Sequence, residues 1–224
     1  MMRALTSAVL MLAFACAGLT PAPGQAQTPH THQHSFSGAE HWARVFDDPD
    51  REVWQKPHQV IEALALKSDA VVADIGSGTG YFAVRLAHFV PQGRVYGVDT
   101  EPDMVKHLAD RAKREGLSNL YAVAGAPDEA RLPQKVDLVL MVDVYHHIEQ
   151  RESYFRKLTP SLKPGGRVAI IDFNAKSTMG PPPSQRIAAK RVRAEMAAAG
   201  YRLQSEHHFL PNQYFLIFQA KSGS

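Results

Sequence analysis

The chain has 224 residues, 45% of them hydrophobic and 8% aromatic, and its 25 lysines and arginines against 22 acidic residues leave a formal net charge of +3. That length and apolar fraction suit one globular domain with a sizeable core, and exclude a disordered or repeat-array chain. The mild charge, with no arginine-rich run interleaved by aromatics, argues against a nucleic-acid groove and for a small-molecule partner.

Arg3 precedes an unbroken apolar stretch over 8–17, and Gly24 and Ala26 place small residues at cleavage spacing, the pattern of a secretory leader. The stretch falls short of the roughly 20 residues a membrane-spanning helix needs. Residues 1–26 therefore read as a signal peptide, with export to a bacterial periplasm expected and no stable membrane span left after cleavage. The one cysteine, Cys16, lies in that leader, so the mature chain is expected to use neither disulfides nor thiol chemistry. Residues 27–40 are polar, carry His30, His32 and His34 with His41 just beyond, and lack an apolar period. They read as a flexible His-rich segment with no catalytic metal.

The folded domain is expected over 41–224. Trp42, Val45 and Phe46 stand at helical spacing, Asp47-Asp48-Pro49-Asp50 makes a turn, and Val60, Ile61, Leu64 and Leu66 form the apolar face of a second helix. From there the pattern alternates: strand over 70–75, helix over 81–89, strand over 94–98, helix over 102–115, strand over 120–124. It continues with a strand over 136–142, helix over 151–158, strand over 167–172 and helix over 184–199, then closing strands over 201–207 and 213–219. Strand and helix in turn imply a parallel sheet covered on both faces. The short last connection, with Pro211 in it, favours an antiparallel hairpin at one sheet edge.

The most informative run is Asp74-Ile75-Gly76-Ser77-Gly78-Thr79-Gly80-Tyr81, a glycine-rich turn closing the first strand, where open parallel sheets bind ligands. A dinucleotide fingerprint needs a glycine three positions after Gly78, and Tyr81 stands there, which weakens a pyrophosphate reading. Asp74-x-Gly76-x-Gly78-x-Gly80 resembles motif I of class I S-adenosylmethionine-dependent methyltransferases. Further stretches agree in order: Val95 to Asp99 ends the second strand in an acid, and Gly125-Ala126-Pro127-Asp128 follows the third. Asp143-Val144-Tyr145-His146-His147 follows the fourth, and Leu162-Lys163-Pro164-Gly165-Gly166 precedes the fifth. The resemblance covers about residues 55–220 and leans toward the ubiquinone and menaquinone biosynthesis type.

The resemblance implies a Rossmann-like three-layer αβα sandwich, with a seven-stranded, mostly parallel sheet ending in the antiparallel hairpin. It also implies S-adenosylmethionine as cofactor. That donor carries no phosphate, so carboxylates can line its site. Asp99 is placed like the family's acid for the two ribose hydroxyls, Asp74 lies near the ammonium, and Gly76, Ser77, Gly78 and Gly80 let backbone approach the amino-acid end. Asp128 and the Ala126 amide correspond to the stretch that reads adenine, Met104 covers the ring, and Asp143 completes the donor site. His146 and His147 face the transfer region, and either is a candidate base for an acceptor that must lose a proton.

Arg51, Trp54 and Gln55 stand where related enzymes close over the cofactor, with packing on the sheet as the alternative. Arg186, Lys190 and Arg193 share a helical face, read either as attracting an anionic substrate or as a solvated stripe. The expected activity is methyl transfer to a small molecule. A non-catalytic S-adenosylmethionine-binding protein and a nicotinamide oxidoreductase are the rivals.

Overall fold

The computed structural model describes residues 38–221. The signal peptide and nearly all of the His-rich segment lie outside the described residues. Three short helices come first: α1 (Ala39–Phe46), α2 (Arg51–Gln55) and α3 (Pro57–Ala63). The expected second helix is thus broken in two. Lys56 adopts a left-handed conformation (φ 47°), and Pro57, whose fixed φ suits a first helical position, starts the next helix. That helix stops at Ala63, and a second left-handed residue, Ala65, leaves Leu66 outside it.

Beyond the helices the chain alternates as its apolar pattern predicts. The elements are β1 (Val71–Ile75), α4 (Tyr81–Phe89), β2 (Arg94–Asp99), α5 (Pro102–Arg114), β3 (Leu120–Ala124) and β4 (Val136–Val142). There follow α6 (Arg151–Leu158), β5 (Leu162–Phe173), α7 (Ala189–Ala198), β6 (Tyr201–His207) and β7 (Gln213–Ala220). Two boundaries differ from expectation. β5 begins at Leu162, which pairs with Val136 ahead of an irregularity in the β4–β5 register. The helix expected over 184–199 begins only at Ala189. Ahead of it a 3-10 turn over Pro183–Gln185 leads into extended backbone at Arg186 and Ala188.

The seven strands form one sheet in the order β3-β2-β1-β4-β5-β7-β6, parallel from β3 to β5 and antiparallel where β7 joins β5 and β6. Val60, Ile61, Leu86 and Leu108 pack α3, α4 and α5 against one face. Tyr154, Phe155, Val192 and Met196 pack α6 and α7 against the other. No helix among the described residues is long and apolar enough to cross a membrane.

Strand order reverses between β1 and β4. In such sheets the crevice beyond the carboxyl ends of those two strands is the place for a ligand, because the connecting chains leave in opposite directions there.

Candidate active site

Asp74 is the penultimate residue of β1, which runs through Ile75 into the glycine turn. Gly76 and Ser77 donate backbone hydrogen bonds to the Val98 carbonyl at 2.8 and 3.0 Å, and Gly80 donates to the Ser77 carbonyl at 2.9 Å. Gly76, Gly78 and Gly80 all have positive φ (71°, 54° and 95°). Their reasons differ from the one the sequence suggested. A Cβ on Gly76 would lie 2.3 Å from Val144 Cγ2 and one on Gly80 2.4 Å from Leu108 Cδ1, so those two glycines serve the chain's own packing. A Cβ on Gly78 would meet only the edge of the Phe46 ring, at 3.3 Å, so α1 lies over this part of the turn.

Asp99, at the tip of β2, accepts the Gly78 N–H at 2.8 Å on one oxygen and the Glu101 N–H at 3.0 Å on the other. It holds the glycine turn and the start of α5 in one grip. Arg111 of α5 adds a second tie: one of its nitrogens donates to the Thr79 carbonyl at 3.1 Å and to Asp47 at 3.0 Å. Inside the turn, the buried hydroxyls of Ser77 and Thr79 have no hydrogen-bond partner among the described residues. Buried polar atoms ordinarily find partners, so two orphans in one loop mark a place where a ligand would supply them.

Asp143 follows β4 in a left-handed conformation (φ 60°) and is gripped by two neutral amides. Gln213 Nε2 donates to one carboxylate oxygen at 2.6 Å, and Gln55 Nε2 donates to the other at 3.2 Å while also reaching Gln213 Oε1 at 3.3 Å. Arg51 donates to Gln55 Oε1 and to the Phe46 carbonyl, and its guanidinium lies 4.1 Å over the Tyr81 ring. The cluster therefore joins α2, the end of β4 and the start of β7. Trp54 packs beside Phe173 with ring centroids 6.2 Å apart, so of the α2 trio only Arg51 and Gln55 enter the network.

Electrostatically the crevice carries excess acid. Burial pushes the Asp74 carboxyl up to about 7, Asp99 adds to the rise, and Arg51 opposes it. Burial likewise raises Asp143, with Asp172 adding and Arg51 and the two glutamines opposing. Arg51 itself is lowered by burial against the pull of Asp143, Tyr81, Asp47 and Asp74. One guanidinium thus serves several desolvated carboxylates, an imbalance that a cationic ligand would relieve.

Just after β4, His146 sits in a 3-10 turn over Tyr145–His147. Its Nδ1 lies 2.9 Å from both oxygens of Asp172 at the end of β5. The His147 ring lies 4.1 Å away, tilted by 39°. Tyr145 donates to Glu195 at 2.7 Å, and Arg151 bonds the same carboxylate at 2.7 Å, which fastens the turn to α7.

Other expected residues have different engagements. The Ala126 N–H is already spent on the Glu129 carbonyl at 2.7 Å, closing a tight turn, so it is no free donor for an adenine nitrogen. Asp128 is exposed and paired with Lys157 at 2.6 Å, which holds its carboxyl below the ordinary value, and it takes no part in the acid cluster. Met104 is buried in the first turn of α5. Arg186 does not face a substrate: it donates to the carbonyls of Ser177, Pro181, Met179 and Asn174 at 2.8–3.4 Å, pinning the loop after β5. Arg193 is paired with Glu206, and Lys190 is exposed. The basic stripe is therefore structural at two of its three positions.

Sequence reasoning did not single out Asp172, Gln213 or Arg111. Asp172 carried a usable signal: like Asp74, it is an acid closing an apolar strand.

Comparison with known proteins agrees with this geometry. A family model described as "Methyltransferase domain" matches residues 66–214. The chain is 32% identical over 107 residues to a malonyl-[acyl-carrier protein] O-methyltransferase of Acetivibrio thermocellus, covering 48% of this chain and 37% of that protein. It is 29% identical over 117 residues to a ubiquinone/menaquinone biosynthesis C-methyltransferase of Pseudomonas putida, covering 51% and 46%. The chain thus spans less than half the length of these curated relatives. A crystal structure of a SAM-dependent methyltransferase from Aquifex aeolicus superposes with a TM-score of 0.76 at 24% identity, covering 82% of this chain and 99% of that one, which establishes the shared fold.

Proposed function

We propose a reaction for a chain that belongs to the methyltransferase-domain family: methyl transfer from S-adenosylmethionine to a small-molecule acceptor. The observation that carries this reading is the acid-rich crevice at the β1–β4 switch point, where Asp74, Asp99 and Asp143 surround a glycine turn and the half-buried Arg51 serves Asp74 and Asp143. A phosphate-bearing dinucleotide would be repelled there, whereas a donor with an ammonium and a sulfonium would be attracted.

The residues fit such a donor. Asp99 accepts backbone N–H groups of Gly78, Glu101 and Thr100, and the acceptor capacity that its carboxylate retains would serve a ribose hydroxyl. Asp74 and Asp143 would hold the cationic end, and the orphan hydroxyls of Ser77 and Thr79 would find partners along the amino-acid moiety. When bound, S-adenosylmethionine supplies a methyl carbon activated by sulfonium sulfur. The chain's part is to orient that carbon toward the acceptor and keep water out, and Arg51 and Gln55 join α2 to the strand ends to make the cover.

The names of the relatives include both O- and C-methylation, which supports methyl transfer and leaves the acceptor atom open. Calorimetric titration with S-adenosylhomocysteine and with NADH tests the reading. Binding of the first and not the second is expected, and the reverse would overturn it.

The leader pattern over 1–26 supports export as the setting for this activity. N-terminal sequencing of protein recovered from fractionated cells should find a chain starting near Gln27, and an intact Met1 on cytosolic protein would refute export.

A further inference from the structure

Asp172 is 1% exposed and accepts bonds on both oxygens. One takes the Phe173 N–H at 2.7 Å, the other takes the His146 backbone N–H at 3.1 Å, and His146 Nδ1 lies 2.9 Å from each. The same carboxylate therefore holds both the backbone and the ring of His146: the backbone bond fixes the turn beside Asp172, and the ring bond fixes the imidazole's orientation. A carboxylate only accepts, so Nδ1 carries the hydrogen, and in the neutral ring the lone pair lies on Nε2.

A second observation concerns Tyr214. It pairs in register with Asp172 across β5 and β7, which puts the two side chains on one face, and its buried hydroxyl has no hydrogen-bond partner among the described residues. A buried phenol left unpaired costs stability and is a group that a ligand's polar atom would satisfy.

We propose that Asp172 positions His146 to take a proton from the methyl acceptor at Nε2, with the Tyr214 hydroxyl oriented to the same molecule. The acceptor then belongs to the class that must lose a proton: a hydroxyl, thiol, acidified C–H or ammonium. This rests on the methyl-transfer reading above. In the step, the acceptor's X–H bond gives its electron pair to a new bond between X and the methyl carbon. The carbon–sulfur bond breaks with its pair returning to sulfur, and the proton goes to His146.

The other titratable and charged groups around the pair are His147, Tyr145, Asp143, Arg151 and Glu195. Arg151 and Glu195 neutralise each other at 2.7 Å, which leaves the His147 ring and the raised Asp143 carboxyl as the neighbours a pH profile must separate.

Two measurements test the proposal on the full mature chain. In 15N NMR of the histidine rings, His146 should show an unprotonated Nε2 and a protonated Nδ1, and D172N should abolish that preference. A protonated Nε2 in the unsubstituted protein would overturn the proposal without involving any acceptor.

The second is a mass-read panel of catechol, thiophenol, 1,4-naphthoquinol and benzylamine against trimethylamine and dimethyl sulfide, which have no proton to lose. Methylation should fall in the first group. There H146Q should lower kcat about a hundred- to ten-thousand-fold, lose the acid limb of the pH profile that H147Q retains, and recover in part with added imidazole. Its affinity for S-adenosylhomocysteine should not change. Methylation confined to trimethylamine or dimethyl sulfide, or H146Q with full turnover, would overturn the proposal. Failure of the unsubstituted protein to bind S-adenosylhomocysteine would instead sink the methyl-transfer reading.

Discussion

Gln213 Nε2 lies 2.6 Å from an oxygen of Asp143, although 70 residues separate them in the chain. This bond closes the network that brings the first residue of the last strand to the end of the fourth, and it shields a buried carboxylate without neutralising it. Removing the amide leaves Asp143 with the single donor of Gln55. Gln213→Leu is expected to destabilise the fold by about 1–3 kcal/mol, the cost of unpairing a buried polar group, read from urea unfolding.

With Asp74 at the cationic end of the donor, as proposed, stability and donor binding should respond to pH in opposite directions. A carboxyl raised on folding contributes its stability below its ordinary value of 3.8 and loses it as pH climbs through about 7. A bound cation favours the ionised form, so binding expels a proton and affinity for S-adenosylmethionine should rise across the same window. Asp74→Asn should reduce both dependences, leaving the share that Asp143 carries, and should make the free protein a few kcal/mol more stable at pH 8 while weakening donor binding. Unfolding midpoints and calorimetric affinities at pH 5.5 and 8, in about the range where the carboxyl titrates, check both signs.

Asp99 grips the glycine turn through Gly78 and α5 through Glu101. Asp99→Ala removes a carboxylate acceptor from both backbone groups and, in the proposed donor placement, from the ribose. Since such bonds contribute about 1.5–3 kcal/mol each, affinity for S-adenosylhomocysteine should fall by at least tenfold, measured by calorimetry.

Two glycines with positive φ separate strain from crowding. At Gly116 (φ 68°) an added Cβ meets nothing within 4 Å, while at Gly80 (φ 95°) it would strike Leu108 at 2.4 Å. Gly116→Ala should cost about 1–2 kcal/mol from the left-handed backbone alone. Gly80→Ala should cost clearly more, and paired urea titrations give the order.

How much of this was legible in the sequence follows from the range of each signal. The apolar run 136–142 and the alternation around it are local, and they placed the strands to within a residue or two, apart from the early start of β5. The glycine turn and Asp99 were legible because a strand's end and the following turn are chain neighbours. Helix breaks at Lys56 and across 184–188 were less so, because a left-handed residue at the first and extended backbone at the second interrupt an otherwise helical pattern.

By itself, then, the sequence determined the αβ alternation, the glycine turn and the acids closing β1 and β2, since each depends on periodicity or on residues a few positions apart. Only the tertiary structure decided which polar groups meet. Gln55 and Gln213 converge on Asp143, Asp172 takes His146, and Arg186 turns inward to its own loop, because the parallel sheet sets side by side strand ends that the chain holds far apart. Hydrogen bonding and desolvation act through space, so the chemistry of this crevice follows from strand order rather than from spacing along the chain.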